Sequence, residues 1–503
     1  MNSIPEMNSA FYQASLPILL LIFGSLVAML QSVSRTMSGE KAVGVTLALF
    51  PVAAFVSLLF FRVRETSFLG GALLSDGFSL FAQMIILAAG LFVAFMSWLT
   101  WIRPFFFRGE VACLFQMVLT GMLVMVASED LISIFIGLEL SSIGIYAMLG
   151  YLFPDRQSQE GAIKYFILGS FATAILLFGF GMLYAGTGSL NLTEIFGQFS
   201  QVDARSGPRL WASIGAVFTL SGFAFKFALA PFHLWSPDAY ESAPTSMTGL
   251  MATCVKIMVM VVMLRFYSKG QEIFQSPWGQ GLMILAVLSM FAGNILALVQ
   301  TSIKRLLAYS SIAHGGYMAI ALSSYGSGNN LSVHSILFYV IIYALASLTA
   351  FGVLMALESQ KRRNLTLDDL KGIGTRYPWY SLCLTVAIFS MAGLPPTAGF
   401  FGKFFIFNAA LREGSYGLVI SAALASVIGL YYYLRLVVFM YFKPADEELQ
   451  MTHKLSPVLG CALGLLLSVT LLLGTIFPGT LMEYFKTQKL LPEVSASLTF
   501  RDR

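Results

Sequence analysis

Six ionisable side chains interrupt long apolar runs in this sequence: Glu139, Lys164, Lys226, Lys256, His314 and Lys403. A charge at the middle of a lipid-facing helix costs about 2.5–3.5 kcal/mol or more. Several in one chain must therefore turn toward each other and toward water inside a bundle. Lysine, unlike arginine, loses its charge readily when desolvated, so a buried lysine can gain and release a proton. Glu139, in FIGLELSSIG, is the one carboxylate read as deep within a run. A glutamate among buried lysines points to proton handling rather than to a static set of ion pairs. For Lys164, near the loop that holds Arg156, and for Lys256 in CVKIMVM, the alternative of an amine reaching out to the membrane interface stays open.

Two of the lysines adjoin prolines. Pro231 follows Lys226 by five residues and His233 comes just after it, while Pro395 and Pro396 precede Lys403. Proline removes an intrahelical hydrogen bond and frees a carbonyl. Broken backbone at membrane depth is tolerated only where protein or a water-filled cavity covers it. The breaks therefore predict hydration beside both lysines, which a proton wire requires. An imidazole titrates near neutral pH. His314, in SSIAHGGYM, is a relay or a packing residue on equal footing, and His233 reads rather as a structural residue at the break than as a relay.

The elements that must position these groups are helices. The chain has 503 residues, 57% hydrophobic and 11% charged, against roughly 25% charged in a soluble domain. Apolar runs of about 20 residues, enough to cross a bilayer, recur throughout. Their approximate cores are 14–33, 41–61, 76–98, 110–127, 131–153, 161–186, 208–230, 245–267, 278–300, 303–324, 332–357, 379–408, 416–442 and 456–482. These predict an all-α polytopic membrane protein of about fourteen spans. Barrel strands alternate apolar and polar residues, and these runs do not. MNSIPEMNSAFYQ lacks the basic start of a cleaved signal. No glycine loop of the phosphate-cradling kind occurs, the connections are short, and no His/Cys/Asp/Glu spacing suits a metal. Cys113, Cys254, Cys383 and Cys461 read as small buried residues. The net charge of +5 fits basic cytoplasmic loops and does not suggest nucleic acid. About fourteen loop cations on one side against about six on the other place the first side in the cytoplasm and both termini outside. The tail cations Lys486, Lys489, Arg501 and Arg503 weakly oppose this.

The halves of the chain are alike. FATAILLFG, ending at Gly179, lies on YALASLTAFG, ending at Gly352, and each half has a proline-broken span beside a lysine. Paired broken helices mark transporters built of structural repeats. The division read from this is 1–108 for N-terminal helices, 109–268 and 277–442 for two inverted five-helix repeats, each with one broken helix, and 443–503 for a C-terminal helix and tail.

Nearly the whole chain resembles the antiporter-like membrane subunits of respiratory complex I, most closely the subunit N branch of the bacterial NADH:quinone oxidoreductase. The likeness is carried by FIGLELSSIGIYAM, AIKYFILGS, YAGTGSLNL, FAFKFALAPFHLWSPDAYESAP, CVKIMVM, IKRLLAYSSIAHGGYM, LDDLKGIGTRYP and GLPPTAGFFGKFFIF. Lys403 stands where subunit M is expected to carry glutamate. The chain lacks the lateral helix of subunit L, and Tyr240 stands where subunit M and the antiporters tend to have histidine. Ser242 departs from a frequent glycine, without consequence for function. The resemblance implies that Glu139 pairs with Lys226, that Lys164 tunes the pair, that Lys256 carries protons along a central axis, and that Lys403 is the terminal site. It implies no cofactor in this chain, with NADH, FMN, iron–sulfur clusters and quinone in partner subunits. The implied neighbours are subunits M, J and K within a bacterial inner membrane. The alternative implied function is a subunit of a multisubunit cation/proton antiporter.

Overall fold

The computed structural model describes residues 9–34, 39–60, 66–69, 71–100, 103–106, 108–151, 155–201, 207–270, 277–325, 330–361, 364–444 and 456–487. Of the loop and tail cations weighed above, Arg35, Arg62, Arg64, Arg205, Arg362, Arg363, Lys454, Lys489, Arg501 and Arg503 lie outside these residues. Three helices lead: α1 (Ser9–Val33), α2 (Glu40–Phe60) and α3 (Gly77–Trp98). The first repeat follows as α4 (Gly109–Ala127), α5 (Leu131–Gly150), α6 (Arg156–Thr187), the broken pair α7 (Gly207–Phe227) and α8 (Trp235–Ser242), and α9 (Thr245–Lys269). The second is α10 (Pro277–Leu298), α11 (Ile303–Ser323), α12 (Asn330–Lys361), the broken pair α13 (Pro378–Ala392) and α14 (Ala398–Arg412), and α15 (Tyr416–Phe442). α16 (Pro457–Thr475) closes the bundle.

Among the described residues, twelve helices are long and apolar enough to cross a membrane. The two further predicted spans are present but differ for physical reasons. α11 is diluted by Lys304, Arg305, His314 and three serines, and 379–408 is not one helix but two, parted at Gly393. The run 208–230 likewise stops as a helix at Phe227. One small strand pair departs from the all-helical expectation: β1 (Thr66–Phe68) runs antiparallel to β2 (Leu73–Ser75) in the connection between α2 and α3.

Inversion of the repeats shows in their shared end contacts. Before α5, Asp130 bridges Asn191, and Leu131 and Leu192 donate backbone N–H groups to Leu190 and Glu129 at 3.0 and 2.9 Å. Before α11, Ser302 bridges Thr366, with Ile303 and Leu367 donating to Leu365 and Thr301 at 3.1 and 3.0 Å. The helix order puts these matched bridges at opposite ends of the bundle. The end that holds the start of α11 is called the basic end below, after Lys304 and Arg305. Within the repeats, α4 packs along α5 as α10 does along α11, and α6 along α7 as α12 does along α13. α9 is buried along nearly its whole length and forms the central post. It contains a five-residue π-helical segment, Met251–Val255, immediately before Lys256; such segments recur at functional sites.

Cys254 and Cys383 are buried as expected, but Cys113 is half-buried and Cys461 is exposed on α16. A helix at the edge of a bundle turns part of its surface to lipid, which accepts a thiol as readily as a packed neighbour does.

Candidate proton path

Lys226 occupies the last turn of α7, where the helix dipole favours a cation. The chain turns immediately afterwards: Ala228 has φ +59° and the Ala230–Pro231 bond is cis. The backbone groups freed by this break are taken by protein. The Phe225 carbonyl accepts from Ala228 N at 3.0 Å and from the Trp235 indole at 2.8 Å, and Ala230 N donates to Ser289 Oγ of α10 at 2.8 Å. Side chains from α8 and α10 thus cover the break where the sequence had suggested hydration.

The Lys226 amine, on a residue 3% exposed, donates to Ser142 Oγ at 2.8 Å and to the Tyr146 hydroxyl at 2.9 Å, and lies over the Tyr146 and Tyr165 rings. Ser142 and Tyr146 are one turn apart on α5. Gly169 of α6 makes room for the Tyr146 hydroxyl: a Cβ there would stand 2.0 Å from it. Glu139 lies one turn before Ser142, half-buried, and its Oε1 accepts from Thr173 Oγ1 at 2.7 Å. The implied Glu139–Lys226 ion pair is absent among the described residues. The amine centres instead on the hydroxyls of residues 142 and 146.

Lys164 is placed elsewhere. Its side chain is 49% exposed, pairing with Glu160 at 2.7 Å and Asp238 at 3.4 Å. Thr173, the α6 residue that reaches Glu139, is nine residues further on, about 13 Å along the helix. The structure therefore does not bring Lys164 to the glutamate. It joins a surface cluster in which Arg305 contacts Asp238 at 2.7 Å and Glu241 at 3.1 Å.

Lys256 is buried and donates to the Ser311 carbonyl at 2.5 Å. Its amine lies 5.0 Å from the ring centre of Phe227, the residue after Lys226, and 5.7 Å from that of Tyr343. The His314 ring is 5.0 Å from the Tyr343 ring and 5.9 Å from the Tyr317 ring. The Lys403 amine stands 4.9 Å from the same Tyr317 ring, so His314 shares one tyrosine with each lysine. Both imidazole nitrogens are engaged, Nδ1 with Tyr339 at 2.7 Å and Nε2 with Tyr433 at 3.0 Å. Lys403 donates to the Ala392 carbonyl, freed at the second break, and to Ser426 Oγ, both at 2.8 Å. A small pocket borders this break, lined by His314, Tyr339, Tyr343, Ser390 and Gly399 among others. His233 stays outside the series: it is buried at the first break, and its Nδ1 meets no partner.

Sequence reasoning missed the hydroxyls that hold the amines, Ser142, Tyr146 and Ser426, and those that hold the His314 imidazole, Tyr339 and Tyr433. The signal for the first two was their spacing of three and seven residues from Glu139, one helical face. It also missed interior ion pairs. Arg265 on α9, 2% exposed, holds Asp76 at 2.9 Å and lies 3.7 Å from Glu129, which Lys269 approaches at 3.3 Å. At the basic end, buried Lys304 pairs with buried Glu358 at 3.4 Å. Glu139 is therefore less buried than three other carboxylates, Asp76, Glu129 and Glu358. No group of three or more His, Cys, Asp or Glu residues suited to a metal ion occurs among the described residues.

The family model described as "NADH:quinone oxidoreductase/Mrp antiporter, TM" matches residues 128–429, which hold every residue of this series. The chain belongs to this family. NADH-quinone oxidoreductase subunit N of Trichlorobacter lovleyi is 40% identical over 432 residues, 85% of each chain. Subunit N 1 of Solibacter usitatus is 36% identical, covering 93% of this chain and 94% of that one. A chain in the structure of respiratory complex I from Thermus thermophilus with bound aureothin superposes with a TM-score of 0.76 at 30% identity, over 93% of this chain and 98% of that chain. The Mrp complex from Dietzia shares the fold, with a TM-score of 0.79 at 17% identity and 95% and 96% coverage. Of the two functions weighed from the sequence, the curated relatives fall on the side of the NADH-quinone oxidoreductase.

Proposed function

We propose that this chain is a proton-translocating membrane subunit of an NADH:quinone oxidoreductase, of the subunit N type, and that Lys226, Lys256, His314 and Lys403 are its relay. One observation carries the reading. The four groups are buried and each is held by hydroxyls or carbonyls; His314 shares a tyrosine ring with Lys256 and another with Lys403, and the Lys256 amine lies against Phe227, the residue after Lys226. A buried amine bonded to neutral acceptors can give up its proton without leaving an unpaired anion behind, which an ion pair could not do. Glu139, one turn from Ser142, biases the Lys226 end of the series electrostatically. His314 passes protons between Lys256 and Lys403.

No redox step occurs in this chain. NADH, FMN, iron–sulfur clusters and quinone belong to partner subunits, and the energy they release drives the protonation changes here. Subunits M, J and K are the proposed neighbours in a bacterial inner membrane. The excess of loop cations on one side supports a cytoplasmic basic end and periplasmic termini. Residues 109–268 and 277–442 are the two working repeats, flanked by 1–108 and 443–503.

The test is NADH-driven proton uptake by inverted vesicles carrying Lys226→Ala in the assembled complex. Uptake is expected to collapse. Full uptake at normal assembly overturns the assignment of this lysine.

A further inference from the structure

His314 is the one relay group held at both ends of its side chain by hydroxyls, and those hydroxyls lead in different directions. On the Nδ1 side, the Tyr339 ring packs against Gly402, where a Cβ would stand 2.9 Å from Cδ2, so this arm arrives beside Lys403. On the Nε2 side, the Tyr433 hydroxyl also bonds Ser310 Oγ. Ser310 lies four residues before His314 on α11, about 6 Å nearer the basic end. Tyr433 is on α15, which runs on toward that end through Tyr441. Tyr441 faces Thr385 of α13 at 3.5 Å, and Thr385 Oγ1 donates to the Ser381 carbonyl at 2.7 Å. Ser381 Oγ, on a fully buried residue, has no partner of its own. Polar groups on this side thus continue from His314 toward the basic end through otherwise apolar packing.

We propose that Tyr433 is a proton-transfer residue, and that protons pass between His314 and the basic end of the membrane through Tyr433 and Ser310. This rests on the reading of His314 as a relay group. A neutral imidazole has one N–H and one lone pair, and a tyrosine or serine hydroxyl can donate and accept. Transfer inward runs as a concerted shift. Ser310 receives a proton from water and gives its own to Tyr433. Tyr433 gives its own to Nε2, Nδ1 releases its proton to Tyr339, and Tyr339 passes its own hydroxyl proton on toward the Lys403 amine. Each hydroxyl ends with as many protons as it began with, and the imidazole changes tautomer. Return of the imidazole to its first tautomer readies the fork for the next proton, so His314 connects alternately to the outside and to Lys403.

The experiment uses the assembled complex in inverted vesicles with Tyr433→Phe, which keeps the ring and removes the hydroxyl. NADH-driven proton uptake is expected to fall about fivefold or more, the scale of one lost hydrogen bond in the rate. The solvent deuterium isotope effect on quinone reduction is expected to rise as proton transfer becomes limiting. Unchanged uptake overturns the proposal, and so does reduced uptake with an unchanged isotope effect, which indicates packing alone. If Tyr433→Phe fails to assemble, Ser310→Ala, which removes only the outer hydroxyl, is judged by the same two readouts. A defect in Lys226→Ala beside normal Tyr433→Phe sinks this arm and leaves the proposed function standing. Normal pumping in Lys226→Ala at normal assembly overturns the assignment of that lysine, whatever Tyr433→Phe does.

Discussion

Lys226 and Tyr146 stand 80 residues apart in the chain and 2.9 Å apart in the fold, and the amine is the donor. Hydroxyl oxygens, rather than the nearby side chain of Glu139, hold this buried amine. The site is therefore tuned by how many hydroxyls face it, and those hydroxyls can be removed singly.

Tyr146→Phe is expected to weaken proton uptake by about tenfold. A hydrogen bond to a charged group contributes about 1.5–3 kcal/mol, and the ring contact with Lys226 survives the change. Ser142→Ala leaves the Tyr146 bond and is expected to have a similar effect. NADH-driven uptake in vesicles, normalised to assembled complex, measures both. Gly169→Ala reaches the same hydroxyl from α6 and is expected to mimic Tyr146→Phe.

Lys164→Ala is expected to leave uptake within about twofold of the parent chain, as exposed ion pairs contribute little. Its partners Glu160 and Asp238 are themselves solvent-facing. A loss as deep as that of Lys226→Ala would return Lys164 to the relay.

Ser289→Ala leaves the Ala230 N–H at the first break without its acceptor. An unsatisfied buried donor costs about 1–3 kcal/mol. The thermal unfolding midpoint of the purified complex, followed for this chain, is expected to drop, while Ser421→Ala on α15, at an exposed bond within its own helix, is expected to leave it unchanged.

Asp76→Asn breaks the pair with Arg265 at the end of α3. Losing one partner of a buried pair costs about 3–5 kcal/mol. Burial pushes the Asp76 carboxyl upward, but the Arg265 guanidinium and the Ser79 donors outweigh it and hold the group below 3.8. A depressed folded value means that the pair's contribution is complete above the unfolded value and is lost as pH falls through the folded one. The midpoint of the parent chain is expected to fall below about pH 4, and that of Asp76→Asn to be lower throughout and flatter across this range.

The sequence determined that this is a membrane bundle. Runs of that length and apolarity have no other stable form, because bilayer hydrocarbon satisfies no backbone group. It pointed to where two helices break, at the lysine-flanked Pro231 and Pro395–Pro396, each of which costs a ladder hydrogen bond, although Pro17 and Pro51 stay inside α1 and α2; and it pointed Lys226 and Lys403 inward, since lipid does not solvate a charged amine, while the fold settled Lys256. Tertiary structure decided which oxygen meets which amine. Ser142, Tyr146, Ser311 and Tyr433 look in sequence like any hydroxyls on apolar helices, and their partners lie between 55 and 119 residues away. It also set the direction of Lys164, because a lysine near a helix end either turns inward or reaches out, and its pairing with Glu160 and Asp238 turns it outward. Arg265 shows the converse. The sequence reading did not single it out, and it is buried because the fold brings Asp76 from the start of α3 to meet it.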